Sequence, residues 1–91
     1  MKKCIKIVIN STLPETFVAK YIQKNAKNFE LEGLAHKLTD QVKIVVCGLK
    51  DNIDQFTDLL HKELSKIKVH DTQIEPFAKD KDYRGVFRIL E

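Results

Sequence analysis

The stretch Asn10–Leu38, NSTLPETFVAKYIQKNAKNFELEGLAHKL, decides how the rest of the chain is organised. It contains the end of a strand, a tight turn, an amphipathic helix pattern and the next strand. A turn that leads into a helix N-terminus exposes backbone N–H groups, which form a suitable scaffold for a bound anion. The stretch therefore predicts a fold, and it places any phosphate-handling site at this turn.

The helix in this stretch is predicted to run from about Leu13 to Asn28. Thr12 and Glu15 have the spacing of a capping box, and Pro14 falls in the first turn, where its missing N–H costs little. Apolar residues then recur at intervals of three and four, which predicts one buried stripe. The members of this stripe are Leu13, Phe17, Val18, Tyr21, Ile22, Ala26 and Phe29.

A first strand is predicted before the helix, and a hairpin is predicted after it. Residues 2–10 alternate, as do residues 42–47, which is typical of strands with one buried face. Residues 32–38 form the other arm of the hairpin, and the short turn Thr39-Asp40 joins the two arms. The side chains expected to face the core are Ile5, Ile7 and Ile9 in the first strand and Val42, Ile44 and Val46 in the third.

A second helix is predicted from about Asp51 to Lys66, because Ile53, Phe56, Leu59, Leu60 and Leu64 recur at helical spacing. Residues 68–75 predict an edge-like fourth strand, and residues 85–90 predict a short last strand. With right-handed crossovers, this order of elements places two helices on one face of an antiparallel sheet. We therefore expect one α/β (α+β) domain over residues 1–91. Its predicted fold is a ferredoxin-like split β-α-β sandwich, βαββαβ with a short C-terminal strand.

Composition limits the classes of protein to consider. The chain has 91 residues, of which 43% are hydrophobic and 32% charged, as is ordinary for a globular domain. No apolar run approaches the ~20 residues of a membrane span. Residues 4–9 contain Lys6 and are too short for the apolar part of a signal peptide. We therefore expect a cytoplasmic protein that does not bind membranes.

The cysteines and histidines form no recognisable metal-binding or nucleophilic pattern. Cys4 and Cys47 lack CxxC spacing, and we expect two half-buried free thiols, close together on the open face of the sheet but not bonded. His36, His61 and His70 are widely spaced, and none has a second ligand that completes a metal site. We expect neither a metal nor another cofactor.

Several segments resemble the acylphosphatase family, and the resemblance covers residues 3–90. They are Gln23-Lys24-Asn25-Ala26-Lys27, Leu31-Glu32-Gly33, the apolar positions of the second helix and Gly85-Val86-Phe87-Arg88-Ile89. The resemblance implies an acylphosphatase-type fold and an anion site at the turn before the first helix. In this family the turn reads G-R-V-Q-G-V-x-F-R, and its N–H groups and last arginine hold the acyl phosphate. An asparagine on the next strand orients the attacking water.

The chain departs from the family pattern at the positions of the catalytic residues. The resemblance places Ala19 at the arginine position and Lys37 at the asparagine position. Pro14 removes an N–H from the turn, and Glu15 adds a negative charge where an anion would bind. Since the loss of one preorganised donor typically costs about 10²–10³ in rate, we expect an acylphosphatase-like domain without acylphosphatase activity.

Two other functions remain open on the sequence. The first is an active or weak acylphosphatase that hydrolyses the carboxyl-phosphate bond with Lys20 and Lys37 in place of the missing groups. A phosphate or acyl phosphate would then bind near Ser11, Thr12, Lys20 and Lys37. The second is a protein-interaction module that pairs with a partner or a second copy through the open sheet face or the last edge strand.

Specific nucleic-acid binding is not expected from the predicted open face of the sheet. RNA-binding domains of this topology stack bases on aromatic side chains of the first and third strands. The residues expected on this face include no aromatic side chain; they are Cys4, Lys6, Val8, Lys43, Val45 and Cys47.

Overall fold

The structure is a computed structural model that describes residues 2–78 and 83–90. This part of the chain contains five strands, which are β1 (Lys2–Ile9), β2 (Glu32–Lys37), β3 (Val42–Leu49), β4 (Thr72–Pro76) and β5 (Phe87–Leu90). The first helix spans residues 15–28 and has three consecutive segments, which are Glu15–Phe17, Val18–Gln23 and Lys24–Asn28. The second helix is Lys50–Lys66. The predicted order of elements is confirmed.

The strands form one sheet in the order β4-β1-β3-β2-β5. Strands β4, β1, β3 and β2 pair antiparallel, as predicted, whereas β5 pairs parallel to β2. The sheet is therefore mixed. Strand β4 ends and β5 begins at the same end of the sheet, so β5 must run opposite to β4 and in the direction of β2. The two helices pack on one face, which confirms the ferredoxin-like sandwich.

The main core lies between this face of the sheet and the two helices. All six strand residues predicted to face the core are buried, and Ile7, Ile44 and Val46 have no exposed surface. The helices contribute most of their predicted stripes, but Tyr21, Phe29 and Leu59 are only half-buried. The buried helix residues are Phe17, Val18, Ile22 and Ala26 in the first helix and Ile53, Phe56, Leu60 and Leu64 in the second. Periodic burial therefore explains why these sequences form these elements.

The start of the first helix differs from the prediction. The helix begins at Glu15, and Pro14 is its N-cap residue, with extended backbone angles and no side-chain capping bond. The Thr12 hydroxyl donates instead to the carbonyl oxygen of Thr39, at 2.9 Å. The predicted capping box is therefore wrong. Because Pro14 fixes the backbone just before the helix, Thr12 lies two residues too early to cap it.

The middle of the first helix is also irregular. Val18–Gln23 is π-helical, and the N–H of Lys24 donates to the carbonyl oxygen of Ala19, five residues earlier. In such a segment each backbone hydrogen bond spans one residue more than in an α-helix, and these segments are frequent at functional sites. This one contains Ala19, the position that the resemblance assigns to the catalytic arginine.

The other face of the sheet has a small core of its own. Val45, Cys47 and Tyr83 are buried together, and Phe77 packs against them. Phe77 and Tyr83 thus cover part of the face that the sequence left open. The predicted interaction surface on this face is correspondingly smaller, whereas pairing through an edge strand stays a prediction.

The two cysteines form a disulfide, so the prediction of free thiols is wrong. Their predicted proximity is confirmed, because Cys4 and Cys47 are register partners in β1 and β3. Their Cα atoms are 4.1 Å apart. Since both side chains point to the same face of the sheet, direct pairing brings the sulfur atoms together.

None of the helices in the described ranges has the length and apolar character needed to span a membrane.

Candidate functional site

A shallow hollow lies between the first helix and the ends of β2 and β5. Its volume is about 270 Å³. The helix contributes four side chains to its lining, and each of the two strands contributes one. The lining residues are Glu15, Val18, Ala19, Gln23, Lys37 and Ile89. We refer to this cavity as the helix-side hollow.

Buried neighbours fix the positions of the first helix and of β2, which border the helix-side hollow. Val18 is 1% exposed and anchors the helix, which leaves the next residue, Ala19, at the rim. Lys37 is the last residue of β2 and pairs with Val42 of β3, which is fully buried. Ala19 and Lys37 therefore line the same cavity, and their relative position depends on buried neighbours rather than on a mobile loop.

The charges in this hollow oppose each other. Lys37 supplies a cation, and it forms no ion pair with any other residue that the structure describes. Glu15 supplies an anion and lies in the first turn of the helix, where negative charge is favourable. Ala19 contributes a methyl group and no hydrogen-bond donor. An anion in this hollow would thus meet one attractive and one repulsive side chain.

The other predicted anion-binding residues lie outside the lining. The Nζ atom of Lys20 lies 5.4 Å from the centroid of the Tyr21 ring, in a cation–π contact. The Thr12 hydroxyl donates a hydrogen bond to the carbonyl oxygen of Thr39. Ser11 precedes the helix and is not among the lining residues. The structure thus brings Ala19 and Lys37 together and leaves Ser11, Thr12 and Lys20 apart from them.

The sequence as a whole matches a known protein family. The family model named acylphosphatase matches residues 17–89, which is most of the chain. The chain belongs to the acylphosphatase family. The match begins at Phe17, two residues after Glu15.

Solved structures of acylphosphatases have the same fold as this acylphosphatase-family chain. An acylphosphatase from Coxiella burnetii is 23% identical and superposes with a TM-score of 0.75, over 97% of this chain and 92% of that one. An acylphosphatase from Bacillus subtilis is 16% identical with a TM-score of 0.78, and all of both chains is covered. Comparison with curated protein sequences gave no match.

The same fold occurs inside a much larger protein. Full-length HypF, in its phosphate- and nucleotide-bound form, is 17% identical and superposes with a TM-score of 0.78. The superposition covers 100% of this acylphosphatase-family chain but only 12% of the HypF chain. At these identities the structural likeness establishes the fold.

Gln23 is a residue of the site that the sequence analysis did not single out. It lines the helix-side hollow and carries a neutral amide that can both donate and accept hydrogen bonds. Its position four residues after Ala19 was the available signal, because residues at this spacing share one face of a helix. Within residues 2–78 and 83–90, no three histidine, cysteine or acidic side chains are arranged so that they could hold a metal ion.

Proposed function

We propose that this chain is a member of the acylphosphatase family that does not hydrolyse acyl phosphates. The observation that carries the proposal is the composition of the helix-side hollow. Ala19 and Lys37 line it together, at the two positions where the family resemblance calls for arginine and asparagine. Glu15 adds a carboxylate to the same cavity.

Each replacement removes a different contribution to catalysis. Without a guanidinium at position 19, the negative charge that develops on the transferred phosphoryl group lacks a bidentate donor. A charged lysine at position 37 has no lone pair with which to orient the attacking water. One lost donor of this kind typically costs about 10²–10³ in rate, so two losses leave little acceleration.

The hollow keeps one feature that favours an anion. Lys37 can attract phosphate or an acyl phosphate, and Gln23 can donate a hydrogen bond to it. Because the cavity is open to water and Glu15 repels the ligand, such binding is weak, with a dissociation constant of roughly 1 mM or more. The alternative in which Lys20 replaces the arginine has less support, since its ammonium lies over Tyr21.

Hydrolysis of an acyl phosphate such as benzoyl phosphate tests the proposal. We expect the rate with the protein to equal the rate in buffer. Lys37→Ala should change nothing, as should Lys24→Ala, an exposed residue of the same helix that does not line the hollow. Protein-dependent turnover that is lost in Lys37→Ala but kept in Lys24→Ala would contradict the proposal.

A further inference from the structure

A second cavity lies on the opposite face of β5. Ile89 lines the helix-side hollow, whereas its neighbours Arg88 and Leu90 line this second cavity. Successive side chains of a strand point to opposite faces of the sheet, so the edge strand separates the two cavities. The volume of the second cavity is about 320 Å³. We refer to it as the open-face hollow.

Both arginines of the chain line the open-face hollow. Arg88 lies on β5, in register with Leu34 of β2, and its side chain is exposed. Arg84 lies in the turn that leads into this strand. The chain has 16 basic residues in all, and the other 14 are lysines. The residues with the planar five-donor group that matches phosphate oxygens are thus found in one place.

The turn that carries Arg84 is held in position by backbone hydrogen bonds. Arg84 and Gly85 have φ angles of 56° and 69°, and the N–H of Val86 donates to the carbonyl oxygen of Tyr83 at 3.1 Å. These are the features of a type I′ turn. The N–H of Gly33 in β2 donates to the carbonyl oxygen of Val86 at 2.9 Å. The turn is therefore tied to the sheet that also carries Arg88.

The floor and the charge of the open-face hollow differ from those of the helix-side hollow. Tyr83 is only 8% exposed and packs in the small core, so the floor is rigid. Among the described residues that line this hollow none is acidic, whereas Glu15 opposes Lys37 in the other. Both charged residues in the described lining of this hollow, Arg84 and Arg88, are therefore basic.

We propose that the open-face hollow binds the phosphate group of a small phosphorylated molecule between Arg84 and Arg88. Guanidinium groups form paired, charge-assisted hydrogen bonds to phosphate oxygens. The volume falls at the lower end of the ~300–1,000 Å³ of small-molecule sites, which leaves room for the phosphate and part of the attached group. This site is independent of the helix-side hollow and of the loss of hydrolysis.

Residue-resolved chemical shifts during a titration with inorganic phosphate test this proposal, with chloride holding the ionic strength constant. We expect saturable shifts of the backbone amides of Gly33 and Arg88. Arg88→Gln should weaken binding at least about tenfold, which is the usual effect of losing a charged hydrogen-bond partner. Arg88→Lys should lose part of the affinity, because it keeps the charge but not the planar fork. Lys24→Gln, at an exposed helix position that lines neither hollow, should leave these shifts unchanged.

A parallel titration with glycerol phosphate identifies the form of the ligand. Tighter binding of the ester than of inorganic phosphate would support a phosphorylated small molecule, whereas equal or weaker binding would overturn that part of the proposal. Chemical shifts that rise without saturation and occur at lysines all over the surface would show only non-specific ion screening. That result, or phosphate binding by Arg88→Gln that equals binding by the wild-type protein, would contradict the proposed site. Because Arg88 is exposed on an edge strand, its variants are expected to fold.

Discussion

Cys4 and Cys47 face each other directly across β1 and β3, and their sulfur atoms are joined in a disulfide. The two residues are 43 positions apart in the chain. The bond therefore closes a loop that contains the first helix, β2 and most of β3. It ties β1 to β3, the central strand of the sheet, on the face against which Tyr83 packs.

We predict that breaking this disulfide lowers the free energy of unfolding by about 2–4 kcal/mol. A cross-link that closes a loop of this length removes much of the conformational freedom of the unfolded chain. Urea unfolding of the oxidised and reduced protein measures the difference. The matched control is the double variant Cys4→Ser/Cys47→Ser, whose unfolding midpoint should not respond to reductant. Coincident midpoints for the oxidised and reduced wild-type protein would contradict this prediction.

The disulfide also bears on where the protein resides. The sequence predicts a cytoplasmic protein, and that location stays a prediction. Disulfides persist mainly in oxidising compartments and are rare in the cytosol. The bond between Cys4 and Cys47 therefore weighs against the expectation, and alkylation of the protein in freshly lysed native cells would show which form is present.

Both helices end with a residue in the left-handed region that is not glycine. At the second helix this residue is Lys68, with a φ of 60°, and the N–H of Val69 donates to the carbonyl oxygen of Leu64 at 2.9 Å. Glu30, with a φ of 56°, occupies the same place after the first helix. The bond pattern is that of a Schellman motif, in which glycine is the favoured residue.

We predict that Lys68→Gly stabilises the protein by about 0.5–1 kcal/mol. A residue with a Cβ pays roughly 1–2 kcal/mol in the left-handed conformation, and the greater freedom of glycine in the unfolded chain offsets part of the gain. The matched control is Lys62→Gly, an exposed position inside the same helix, which should cost about 1 kcal/mol. Thermal unfolding compares the three proteins. Equal destabilisation by the two substitutions would show that position 68 has no special backbone requirement.

A charge cluster joins β1 to the second helix. The carboxylate of Asp54 lies 2.9 Å from the Nζ atom of Lys50 and 3.3 Å from that of Lys3. The hydrogen bond from Lys50, together with Lys3, lowers the pKa of Asp54 below its ordinary value of 3.8. The same hydrogen bond raises the pKa of Lys50 above 10.5.

The direction of each pKa shift fixes the pH range in which the cluster stabilises the fold. Because the folded-state pKa of Asp54 is lowered, its contribution is present above the unfolded pKa and is lost as the pH falls through the folded value. Because the folded-state pKa of Lys50 is raised, its contribution is present below the unfolded pKa and is lost as the pH rises through the folded value. The stabilisation therefore spans the neutral range.

We predict that Asp54→Asn lowers the melting temperature at about pH 7 and that the loss is smaller at about pH 2, because the contribution of the ion pair is lost as the pH falls through the folded-state pKa of Asp54. The effect is modest, since the pair is exposed to water. Thermal melts at the two pH values measure it. Asp58→Asn on the same helix is the control, because Asp58 forms no ion pair among the residues described. A loss in Asp54→Asn that is equally large at both pH values would assign the effect to packing.

The fold could be predicted because burial is periodic in this sequence. The alternation of Ile5, Ile7 and Ile9 and the three-and-four spacing in the helices depend only on which residues are apolar, and the structure buries them as expected. The parallel pairing of β5 could not be predicted in this way. It depends on the path of the chain across the sheet, which the local pattern does not record.

The sequence analysis named two of the residues that line the helix-side hollow, and the site itself stays a prediction. The family resemblance placed Ala19 and Lys37 at the positions of two catalytic residues, and both line one hollow in the structure. The sequence could not show that the ammonium of Lys20 lies over the Tyr21 ring, because that depends on a side-chain conformation. The capping prediction failed at Thr12. Thr12 and Glu15 have the spacing of a capping box, but Pro14 is the N-cap residue and the helix begins only at Glu15.

The composition of the helix-side hollow leads to a gain-of-function prediction. The double variant Ala19→Arg/Lys37→Asn should hydrolyse an acyl phosphate at least about 10²-fold faster than the wild-type protein, because it restores a bidentate donor for the phosphoryl oxygens and an amide that can orient water. Ala19→Gln/Lys37→Asn is the matched control and should stay near the buffer rate, since it lacks the guanidinium. Pro14 and Glu15 remain in both variants. An inactive double variant that still binds phosphate more tightly than the wild-type protein would show that these two turn residues, rather than Ala19 and Lys37, prevent catalysis.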